Sequence, residues 1–152
     1  MLPLDLRQTL VMVAQAMRDA RDPWWVISSA AVALHGVVAV TVADVDVVTS
    51  VEDARCVMTR LGVGQPKGSA SPMFRSTVFG QWMAPPLVVE IMAGFHVVTP
   101  AGWTEVLPKT RVPIEVEEAT IYVPDRAELA KILRLFGRPK DLERARLLTT
   151  QS

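Results

Sequence analysis

The sequence predicts an α+β domain, a mixed central β-sheet flanked by helices. Helix-like and strand-like patterns alternate up to Leu61, short apolar strands fill the middle of the chain, and two helical segments close it. The third observation is chemical. Asp44-Val45-Asp46 lies inside the apolar run 42–48, where a buried strand has no ordinary use for two carboxylates.

Residues 4–20 place Leu4, Leu10, Val13 and Met17 at helical spacing, and Arg21-Asp22-Pro23 ends that helix. Trp24 to Ile27 reads as a short buried strand. Ser28-Ser29 then caps an Ala-rich helix through Leu34, and Gly36 suits the left-handed position after its last turn. Val45–Thr49 is the next strand. Ser50 caps a helix that begins Val51-Glu52-Asp53, with its acids where the helix dipole favours them, and ends near Leu61-Gly62.

The stretch 62–72 holds three glycines, two prolines and two serines and reads as a loop. Met73–Phe79 and Leu87–Met92 read as strands joined by a hairpin through 80–86. Residues 95–109 show no clean period and are expected as loop or short helix. Val112–Val116 and Thr120–Val123 form short strands around Glu117-Glu118. Pro124-Asp125 opens a helix carrying Leu129, Ile132, Leu133 and Phe136, and Gly137-Arg138-Pro139 separates it from a last helix running to about Leu148. One domain is expected over 1–152, with its core at about 24–123 and C-terminal helices at about 124–149.

Composition narrows the function classes. Half the residues are hydrophobic and the formal net charge is zero, so no overall field draws the chain to nucleic acid or an anionic membrane. The single Cys56 excludes an internal disulfide and a cysteine-based zinc site, and it reads as a buried bystander. No apolar segment approaches the ~18–20 residues of a membrane span. Asp5 and Arg7 interrupt the first apolar stretch, so it reads as a helix rather than a signal peptide, and the expected location is the cytoplasm.

Two carboxylates two residues apart on a strand project from one face. They repel each other and lose hydration unless a cation stands between them, and Mg²⁺ is the hard cation that shares carboxylate oxygens with substrate phosphates. A third acid, Glu90, sits among Val88, Val89, Ile91 and Met92 and needs a partner for the same reason. Ser28-Ser29 opens a helix whose first backbone N–H groups suit a phosphate oxygen. Each feature also has a plain reading. The aspartates can cap a strand end, the serines can cap a helix, Lys131 can snorkel, and Arg138–Asp141 can be an exposed turn. Trp82 reads as core or, at a hairpin tip, as a base-stacking platform.

Taken together, these motifs resemble the DNA polymerase beta-type nucleotidyltransferase superfamily, in particular its small bacterial branch of minimal nucleotidyltransferases and abortive-infection toxins. The family pattern is a hydrophobic residue, a Gly-Gly or Gly-Ser turn, Asp-x-Asp on a strand about a dozen residues later, and an acid on a later strand. Ser28-Ser29, Asp44, Asp46 and Glu90 stand at those positions. Ala31, His35 and Gly36 match the Ala-rich helix and His-Gly that follow the turn, and Lys131 with Arg138-Pro139-Lys140-Asp141 matches the C-terminal ending. The chain departs from the pattern where Ser28 replaces the first glycine and Ala39 replaces an arginine ahead of the acids.

The resemblance implies a nucleotidyltransferase fold. It also implies two Mg²⁺ ions on Asp44, Asp46 and Glu90, an NTP substrate, and transfer of NMP to a hydroxyl with loss of pyrophosphate. Glu90 or Asp46 would take the acceptor proton. Ser28, Ser29, Lys131 and Lys140 would contact the nucleotide, and Asp141 would orient one of the lysines. The acceptor would be a protein, a small molecule or RNA, with a protein partner if the chain belongs to a toxin–antitoxin pair. The departures leave a second reading open, a catalytically weakened domain that binds a nucleotide or a protein partner.

Overall fold

The computed structural model describes residues 2–66 and 71–150. In chain order these form α1 (Leu4–Ala16), β1 (Trp25–Ile27), α2 (Ser28–Leu34), β2 (Asp44–Thr49), α3 (Val51–Leu61), β3 (Phe74–Arg75) and β4 (Val78–Trp82). They continue with β5 (Val88–Ala93), β6 (His96–Thr99), β7 (Gly102–Glu105), β8 (Val112–Val116), β9 (Ala119–Val123), α4 (Arg126–Phe136) and α5 (Pro139–Thr150). The central sheet has the order β1-β2-β5-β4. β2 and β5 run parallel at its centre, and β1 and β4 flank them antiparallel. A second sheet orders β3-β6-β7, and β8-β9 is a separate hairpin. The mixed sheet with helices packed on it is the α+β class.

The core follows the expected periodicities with local shifts. α1 buries Leu6, Leu10, Val13 and the following Met17, while Leu4 is exposed and the helix stops at Ala16 rather than at residue 20. Thr9 in its buried face accepts a hydrogen bond from Leu87 N at 3.0 Å and donates to Asp5 O, which ties α1 to the start of β5. α2 is buried on every side, which its small alanines permit. Ser50 Oγ accepts from Asp53 N, and Gly62 closes α3 in the left-handed region, both as expected. Asp53 is itself buried and accepts from Arg21 N and Asp22 N, holding the link that leads into β1.

Five expectations are corrected. α2 begins at Ser28 itself, with no side-chain cap, because Ser28 has φ 60 and its backbone turns directly out of β1. The expected strand 73–79 splits into β3 and β4, which belong to different sheets. Residues 95–109 contain the β6/β7 hairpin, paired from His96↔Glu105 to Thr99↔Gly102. Cys56 is exposed, because α3 buries Asp53, Ala54, Val57 and Met58 and residue 56 turns away from that face. Trp82 lies in the core at the end of β4, which removes it as a base-stacking platform. Of the expected loop 62–72, residues 67–70 lie outside the described residues; the stretch 63–66 has no regular structure. No described helix is long and apolar enough to cross a membrane.

Candidate active site

β2 and β5 build the site. Along β2, Asp44 and Asp46 are half-buried on one face, while Val45 and Val47 are buried on the other. The parallel register sets Asp46 beside Glu90, and partners in a ladder project to the same side. The ligand atoms of Asp44, Asp46 and Glu90 lie within 4.8 Å of one another. Three carboxylates at this spacing are a hard-oxygen donor set of the kind that holds a divalent cation.

Two further observations test that fit. Asp46 Oδ1 is buried without a hydrogen-bond partner, and a buried acceptor left open in this way is costly unless a ligand satisfies it. Burial, with Asp44 and Glu90 adding repulsion, holds the Asp46 carboxyl well above the usual carboxylate range, and the Ser28 hydroxyl pulls the other way. A cation among the acids reverses that penalty. The donor set therefore fits a divalent metal. Glu90 Oε2 also accepts from Gln81 Nε2 at 3.3 Å, an amide contact from the neighbouring strand.

Asp46 and Glu90 open into a cleft of about 510 Å³. Ser28, Asp46 and Glu90 line one side, and Phe74, Phe79, Met92, Phe95 and Phe136 form an apolar wall. Phe74 stacks on Phe95 at 5.6 Å and meets Phe136 edge-on at 5.2 Å, which makes the wall rigid. Arg75 and Arg138 also line the cleft.

No protein-family model matches the sequence, and no curated protein sequence matches it. Solved structures do. A candidate nucleotidyltransferase from Thermotoga maritima superposes with a TM-score of 0.76 over 100% of this chain and 97% of its own, at 22% identity. The lincosamide antibiotic adenylyltransferase LnuA, with lincomycin bound, gives 0.59 over 94% of this chain and 96% of its own, at 10% identity. ANT(2″)-Ia in complex with adenylyl-2″-tobramycin gives 0.57 over 95% and 88%, at 12% identity. The chain has the nucleotidyltransferase fold.

Within the nucleotidyltransferase fold, the sequence-predicted residues divide into two groups. Asp44, Asp46 and Glu90 converge, and Ser28 stands beside them on the cleft wall. Ser29 is buried and absent from that wall. Lys131 and Lys140 are exposed on α4 and α5, and neither lines the cleft. Asp141 is fully buried, and its partners are Arg138 and Arg144 rather than a lysine. His35 bonds Pro124 O through Nε2, a helix-end contact rather than a ligand role. Sequence reasoning gave no role to Arg138 or to the four phenylalanines. The available signal was the Arg138-Pro139-Lys140-Asp141 motif, in which the i,i+3 pair is Arg138 with Asp141.

Proposed function

We propose that this protein is a metal-dependent nucleotidyltransferase that moves NMP from an NTP to a hydroxyl acceptor. The observation that carries the proposal is the convergence of Asp44, Asp46 and Glu90 around the unpartnered Asp46 Oδ1, at the mouth of a nucleotide-sized cleft. Asp44, Asp46 and Glu90 would hold two Mg²⁺ ions. Bound there, the metal would neutralise phosphate charge and acidify an acceptor hydroxyl. The protein's own part is positioning and electrostatics. The β2–β5 register fixes the spacing of the acids, and the Gln81 amide orients the Glu90 carboxylate. Glu90 or Asp46 would accept the acceptor's proton. The phenylalanine wall keeps water from one side of the reacting groups.

The antibiotic-modifying neighbours favour a small-molecule hydroxyl as acceptor. A protein or RNA acceptor within a toxin–antitoxin pair follows from the sequence resemblance and is tested by co-purification with the product of an adjacent gene. One feature favours the weakened-domain reading. Ser28 holds φ 60 at the turn where the family carries glycine, a conformation that brings a Cβ to the cleft wall.

Titration calorimetry with ATP, GTP, CTP and UTP, with and without Mg²⁺, separates these readings. Metal-dependent binding that disappears in the Asp44→Asn/Asp46→Asn double variant, together with pyrophosphate release in the presence of an acceptor, is the expected result. Metal-independent binding that survives the double variant would sink the enzyme reading.

A further inference from the structure

The cleft lined by Asp46 and Glu90 is also lined by an arginine, Arg138, fixed by a buried carboxylate. Arg138 Nε donates to Asp141 Oδ2 at 2.6 Å and Nη2 donates to Asp141 Oδ1 at 3.1 Å, so one edge of the guanidinium is taken. Asp141 has no exposed surface, and Arg138 N donates to it as well. The guanidinium lies 5.0 Å from the Phe74 ring. Among the described residues Nη1 has no partner, so the edge away from Asp141 is free. Arg144 Nη1 stands 3.9 Å from Asp141 Oδ1. Two guanidinium charges against one carboxylate leave this cluster net positive, in a cleft that also presents Asp46 and Glu90.

A planar cation with one edge clamped and the other free is prepared for a phosphate, because the free edge presents donors in a fixed fork. Resting on the nucleotidyltransferase reading above, we propose that Arg138 binds the β- and γ-phosphates of the NTP and that Asp141 is its positioning residue. Arg75, the other cation lining the cleft among the described residues, is exposed on β3 and stacks on Trp103 at 4.4 Å, and no described carboxylate fixes it. The competing explanation is purely structural. Asp141 accepts from the backbone N–H of Arg138 just ahead of α5, so the pair would serve only to start that helix.

The two explanations differ in what they discriminate. Calorimetry in Mg²⁺ would compare the best-bound NTP, its NMP and inorganic pyrophosphate on the wild type, Arg138→Gln, Arg138→Lys and Asp141→Asn, with Arg134→Gln on the exposed face of α4 as control. Loss of one charge-assisted phosphate contact should weaken NTP and pyrophosphate by about tenfold or more while NMP changes little. Arg138→Lys, which keeps the charge but not the fork, should fall between, and Asp141→Asn should follow Arg138→Gln. A lower melting temperature in Arg138→Gln with unchanged NTP and pyrophosphate affinity would overturn the proposal and leave the enzyme reading standing. NTP and NMP weakened equally would overturn it too. A wild type that binds no NTP would overturn both. If Asp141→Asn does not fold, the two Arg138 variants still decide.

Discussion

Asp46 is the residue at which stability and function compete. Its carboxyl is held above the ordinary range by burial and by Asp44 and Glu90. The metal-free folded state therefore keeps a proton that the unfolded chain gives up near pH 4, so stability is full below that point and falls as pH rises through the folded value. Melting curves in EDTA across that window should show wild type losing stability relative to Asp46→Asn as pH rises, and Mg²⁺ should remove the difference. Ser28 is the second such residue. Its φ of 60 costs of order 1–2 kcal/mol. Glycine would relieve this but return about 0.5–1 kcal/mol of backbone freedom to the unfolded chain. Ser28→Gly should therefore be more stable in urea by at most about 1.5 kcal/mol, and tighter NTP binding in that variant would show that the Cβ obstructs the cleft. The acids were legible because charge in an apolar strand is conspicuous. Arg138 was not, because a sequence shows which cations exist but not which of them faces a cleft.

At the scale of elements, legibility followed burial. β2 and β5 share one alternation of half-buried and buried residues, and both were visible in the sequence. β7 is exposed along most of its length, so its residues carry no alternation, and the β6/β7 hairpin is defined by pairing alone. The division of 73–79 was hidden for a different reason. The chain changes sheet at Ser76-Thr77 without a glycine or proline to mark the break, and the same change recurs at Gly94 between β5 and β6. Gly94 has φ 60, and a Cβ there would lie 2.3 Å from Thr77 Oγ1 and 2.8 Å from Thr77 Cβ. Gly94→Ala combines left-handed strain with overpacking, so it should destabilise by about 2 kcal/mol or more in denaturant titration. Gly36 has open space around it, so Gly36→Ala should cost only its backbone strain.

At the scale of the whole molecule, one core runs from Leu6 in α1 to Leu148 in α5. The C-terminal helices are anchored to it by polar contacts as well as packing. Arg126 donates to Leu148 O and to His35 O, joining the start of α4 to the ends of α2 and α5. Phe136 and Arg138 reach the cleft from this C-terminal unit, while Asp46 and Glu90 reach it from the central sheet and Ser28 from the start of α2. The α+β class was readable from element order, but the joint contribution of both units to one cleft was not, because it depends on how α4 lies over the second sheet.

The parallel seam between β2 and β5 has a kinetic consequence. It joins residues 44–49 to 88–93, a high-contact-order pairing that pays its loop-closure entropy before any reward arrives. In this protein the seam also brings Asp44, Asp46 and Glu90 together, at the cost of repulsion or of a proton taken up by Asp46. Closing it therefore raises the barrier to refolding until a cation is present. Stopped-flow refolding should speed up with Mg²⁺ in the wild type and show a weaker metal dependence in Asp46→Asn, which keeps Asp44 and Glu90. In that sense the ion would act first as an assembly factor and only afterwards as a reagent.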